Sequence, residues 1–83
     1  MPKFEYVNGI VEAFQVTVDN MVFLEHWCGG SIKGTKLPYK DRVIEIESED
    51  YSFRAGVGAW IVRMESCFMV LTDTTFHLRY REI

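Results

Sequence analysis

The chain has 83 residues, 48% of them apolar and 25% charged, with a net charge of −3. That length suits one folded domain, residues 1–83, because two halves of about 40 residues would each lack a self-sufficient core. The balance excludes a disordered chain, no apolar run reaches the roughly 18 residues of a membrane helix, and the start Met1-Pro2-Lys3-Phe4-Glu5 has no signal-peptide core.

The first turn signal is Asn8-Gly9. Ile10 to Thr17 follows, β-branched and alternating, and predicts a strand with Ile10, Phe14 and Val16 on one face. Glu12 falls on that same side, so the face is not uniformly buried. Asp19 or Asn20 can cap a helix over Met21–Cys28, where Phe23/Trp27 and Leu24/Cys28 are four apart and share a stripe. Gly29-Gly30 ends it, because glycine enters the left-handed conformation cheaply. Two turns of helix do not hold alone, so this one must lie on a sheet.

Ser31 to Asp41 reads as a strand edge or loop. Arg42 to Glu47 is a strand with Ile44 and Ile46 inward and Glu45 and Glu47 outward. Glu49-Asp50 turns the chain, and Tyr51 to Ala55 returns as the antiparallel partner. Gly56 and Gly58 bracket a turn into the strand Ala59–Arg63, and both suit positive φ. Glu65-Ser66 turns into Cys67–Leu71. Thr72-Asp73 offers a short turn or helical cap, and the alternating Phe76–Arg81 reads as a terminal strand. The predicted fold class is α+β: a small, curled antiparallel sheet of five to six strands with one short helix packed on it.

Twelve residues are aromatic, many for so small a core. Phe14, Phe23, Trp27, Trp60, Phe68, Phe76 and Tyr80 fit inward positions. Tyr39 and Tyr51 are left over. For Gln15, Trp27 and Trp60 the sequence leaves open whether they sit in the core or line a pocket. A half-buried amide such as Gln15 must find partners in either case.

No catalytic set is visible. His26 and Cys28 are two apart and diverge on a helix, and no nucleophile motif surrounds either cysteine. His26, Cys28, Cys67 and His77 match no common zinc spacing, and the glycines form no phosphate loop. Neither an enzyme, a cofactor nor a metal is expected. The negative net charge argues against direct DNA binding. Charge is nevertheless segregated. Lys33, Lys36, Lys40 and Arg42 against Asp41 give residues 33–42 a charge of +3, and Glu45, Glu47, Glu49 and Asp50 give residues 45–50 a charge of −4. The basic loop with Tyr39 is a candidate cradle for an anionic ligand, and the acidic strand and turn with Tyr51 a candidate face for a basic partner. Solvated edges are the plainer reading of both.

Several segments together carry a resemblance: Val11-Glu12-Ala13-Phe14-Gln15, Asn20 to Trp27, Val43 to Glu47, Val57-Gly58-Ala59-Trp60-Ile61-Val62, Phe68, and Phe76 to Tyr80. The chain resembles a group of small phage and prophage proteins patterned V-x-A-x-Q-W, N…W, I-x-I, G-D-W-I-I and a late F…Y. It departs from them at Ala59, where the pattern has Asp, at Met69, where it has Tyr, and at Thr72, where it has Pro. The resemblance implies a phage-encoded accessory protein working in the bacterial cytoplasm and acting by binding, foremost by inhibiting a host defence protein. The alternatives are a sponge for an anionic nucleotide signal and, further back, a small enzyme. An unpaired strand edge would suit a homodimer.

Overall fold

The computed structural model describes residues 3–6, 9–65 and 67–82. In chain order its elements are β1 (Lys3–Tyr6), β2 (Gly9–Gln15), α1 (Met21–Cys28), β3 (Ser31–Lys33), β4 (Val43–Glu47), β5 (Ser52–Gly56), β6 (Trp60–Arg63), β7 (Phe68–Leu71), α2 (Asp73–Arg79) and β8 (Arg81–Glu82). A single 3₁₀ turn, Tyr39–Asp41, precedes β4. No helix among these is long and apolar enough to cross a membrane. The turns expected at Asn8 and Ser66 fall on positions outside the described residues.

The fold is α+β, but the expectation of one curled sheet and one helix is corrected. The strands divide between a five-stranded sheet, ordered β7-β6-β2-β1-β8, and a three-stranded sheet, β3-β4-β5. All pairings are antiparallel. The division happens after β5. Gly58 takes φ 97°, which glycine alone adopts without strain, and the chain crosses to pair with β2. Gly58 N–H donates to Val16 O at 2.9 Å and Val16 N–H to Ala59 O at 2.8 Å, extending that pairing past the ladder. Gly56 has no positive φ, contrary to expectation; it ends β5 opposite Val43.

The larger sheet is covered on both faces, which explains the unbroken apolar run in β6. Trp60, Ile61 and Val62 are all buried. Ile61 joins Val16, Met21, Leu24, Ile44 and Ala55 beneath α1 and the smaller sheet. Trp60 and Val62 join Ala13, Phe76 and Tyr80 beneath α2. Ile10 is not an inward residue. It is 64% exposed, because the β6 ladder covers β2 only from Glu12 to Gln15.

The last element corrects the expectation of a strand over Phe76–Arg81. Thr72 caps α2, its hydroxyl accepting from Thr75 N–H at 3.2 Å. Phe76 and Tyr80 are i and i+4, so a helical turn stacks them at 5.0 Å on one face. Phe76 also lies flat on Trp60, 3.9 Å between centroids. Leu78, which a strand would have buried with them, is 81% exposed. Alternation and the i,i+4 rule both accept F-H-L-R-Y, and the cap decides between them. Asn20 does begin α1, but it makes no capping bond. Its carboxamide instead takes Thr17 N–H and gives to Gln15 O, both at 2.8 Å, tying the helix start to the end of β2. Gly29, at φ 70°, ends α1 as expected.

Candidate functional site

At the junction of the two sheets β5 lies against β7, with no ladder between them among the described residues. A cavity of about 480 Å³ opens there, within the range of ligand sites. Two hairpins form its walls. In the β4–β5 hairpin, Ser48 N–H and Ser48 Oγ both donate to Tyr51 O, at 2.8 and 3.0 Å. These bonds close the turn and set Glu49 and Tyr51 at its end. In the β6–β7 hairpin, Met64 N–H donates to Cys67 O at 2.8 Å.

Three rings line the cavity: Tyr51, Phe53 and Phe68. Tyr51 meets Phe53 edge to face at 4.9 Å. Phe68 is fixed from behind by Trp27 at 5.2 Å, Trp27 by Phe14 at 4.8 Å, and Phe14 by Phe23 at 5.1 Å, all edge to face. The buried Trp27 indole N–H has no hydrogen-bond partner among the described residues, which suits a residue held for ring packing.

Three acidic residues line the cavity along with the rings: Glu47, Glu49 and Glu65. No ion pair forms at any of the three among the described residues. The cation beside them, Arg63, reaches Glu12 across the strand pair at 3.5 Å. The cavity is therefore both aromatic and electronegative. Ile46, Met64, Cys28 and Cys67 complete its apolar and sulfur lining. Burial pushes the Cys28 thiol above its ordinary value, opposed in part by hydrogen bonding with the Gly30 backbone. Cys67 is exposed.

The sequence-singled residues distribute unevenly. Glu47, Glu49 and Tyr51 come together on the cavity. Glu45 points elsewhere and is paired with Arg54 at 2.9 Å, while Asp50 is exposed at the turn. The basic residues form no part of the cavity. Lys33 ends β3, and Lys36, Tyr39 and Lys40 are exposed on the loop after it. Arg42 holds that loop together. Its guanidinium donates to Leu37 O at 2.8 Å and Thr35 O at 3.0 Å, and lies 4.0 Å over the Tyr39 ring. Sequence reasoning missed Phe53, Met64 and Glu65 as walls of the same space. The available signal was Glu65 at a second hairpin turn, acidic like the first.

Gln15 and Trp60 both tie elements of the fold together. Gln15 Nε2 donates to Gly58 O and Asp73 Oδ1, both at 3.2 Å, and Trp60 Nε1 donates to Asp73 Oδ1 at 2.8 Å. His77 Nε2 lies 3.1 Å from the same oxygen. One carboxylate oxygen thus pins α2 to β2 and β6. Among the described residues no group of three or more His, Cys, Asp or Glu is placed to hold a metal. Compared with protein-family models, with curated proteins and with solved structures, the chain matches none.

Proposed function

We propose that this chain is a phage-encoded accessory protein that works by binding a host protein and blocking it. The observation that carries the reading is the cavity between the hairpins, lined by three aromatic rings and by three acidic residues that form no ion pair among the described residues. Aromatic side chains are the usual anchors of protein interfaces, and a one-sign rim speeds encounter with an oppositely charged partner. The partner's docking segment is therefore basic. The exposed Tyr51 at the cavity mouth supplies apolar contact at little entropic cost, since its ring has few rotamers.

The test compares tagged wild-type chain with the Glu47→Gln, Glu49→Gln, Glu65→Gln triple variant in capture from bacterial lysate. The wild type should retain a stoichiometric partner, release it at high salt, and depress its activity. The triple variant should lose it while keeping its fold. A wild type that retains no partner, or a variant that retains it equally well, refutes the reading.

A further inference from the structure

We infer that the cavity between the hairpins is a seat for one arginine side chain of the partner segment; this rests on the reading above and names the group recognised. A cation entering this space leaves water and meets aromatic rings, a thioether residue and acidic residues at once: Tyr51, Phe53, Phe68 and Met64 with Glu49 and Glu65. Guanidinium fits that mixture. It is planar and weakly hydrated, stacks on aromatic faces, and forks onto carboxylates with parallel N–H bonds. An ammonium is a compact, strongly hydrated point charge, and it gives up more hydration for less contact.

The protein uses the same chemistry within its own chain. The Arg42 guanidinium lies 4.0 Å over the Tyr39 ring, and Arg54 Nε meets the Glu45 carboxylate at 2.9 Å. The cavity offers both partner types in one place, and the one arginine in its lining is Arg63. Arg63 does not fill the role, since its guanidinium is turned to Glu12. Desolvation strengthens the preference: Phe53 and Phe68 are only partly exposed, and the cavity stands at the sheet junction rather than on a flat face. Arginine, with tryptophan and tyrosine, is among the residues enriched at the energetic centres of interfaces.

The probes are three otherwise identical capped pentapeptides, with arginine, lysine or neutral citrulline at the centre and alanine elsewhere. Each is titrated into the isotope-labelled full chain and followed by amide chemical shifts. The arginine peptide should bind at least tenfold more tightly than the lysine peptide, and citrulline should not bind. Shifts should concentrate at residues 47–53 and 63–68. Tyr51→Ala and Glu49→Gln, both at exposed positions, should each weaken the arginine peptide about tenfold and leave the remaining spectrum unchanged. Equal binding of arginine and lysine at these residues overturns the arginine seat and leaves the acidic docking reading standing. Failure of both cationic peptides, or shifts confined to other parts of the chain, overturns both.

Discussion

Replacing Asp73 by alanine removes the acceptor that Trp60 and Gln15 share and the ion-pair partner of His77. The largest loss is at Trp60, whose indole N–H sits 2.8 Å from Asp73 Oδ1 in a residue only 9% exposed. A hydrogen bond to a charged acceptor contributes about 1.5–3 kcal/mol. The other two partners add less. Gln15 keeps its bond to Gly58 O, and the Asp73–His77 pair is more than half exposed on both sides, worth roughly 0.5 kcal/mol or less. The expected total is about 2–3 kcal/mol. For a chain of this size each kcal/mol moves the melting temperature by about 4–8 °C, so the midpoint should fall by roughly 10–20 °C. Asp73→Asn keeps one acceptor oxygen and should lose about half as much. Chemical denaturation followed by tryptophan fluorescence measures both. An alanine variant within 0.5 kcal/mol of wild type would refute the claim that this carboxylate pins α2 to the sheet.

Other consequences follow from the same geometry. A Cβ on Gly30 would lie 2.7 Å from Glu45 O and 2.9 Å from Ile44 Cγ2, so Gly30→Ala should destabilise by roughly 1–3 kcal/mol, read by urea midpoint. Gly29→Ala meets no such contact and should lose only about 1 kcal/mol through its positive φ. Phe76→Ala should destabilise by about 3–5 kcal/mol and Leu78→Ser by less than roughly 0.5, a contrast that a terminal strand would remove. The folded-state Cys28 thiol is harder to ionise than the unfolded one, so its contribution is complete below the ordinary thiol range and is lost as pH rises above that range through the raised folded-state value. Stability should decline in alkaline solution, and Cys28→Ala should flatten that decline at some loss of packing. A thiol reagent should label Cys67 at once and Cys28 only at the rate of opening.

The hairpins were legible because their signals are local. Ile44 and Ile46 alternate with Glu45 and Glu47, and Glu49-Asp50 marks the turn, so β4 and β5 follow from a dozen residues. The division into two sheets was not legible, because it depends on which strand β6 selects across 43 residues, from Gln15 to Gly58 and beyond. β1 escaped notice since its four residues, Lys3 to Tyr6, are too short a run to show a period; it pairs with the adjacent β2 and with β8 at the far end of the chain. The site was half legible. The acidic run and Tyr51 showed as charge against an exposed ring, whereas Phe53, Phe68 and Glu65 join them only through the junction of the sheets. The basic loop showed equally strong charge, yet Arg42 and Tyr39 satisfy one another there. Composition sees the residues of an internal contact and of an open site alike.

Hydrogen–deuterium exchange on the chain bound to its captured partner tests the central claim most directly. Protection gained on binding should fall on the two hairpins, residues 46–53 and 63–68, and weaken with added salt. Protection confined to residues 33–42 or to the outer face of α1, with both hairpins unchanged, would contradict it.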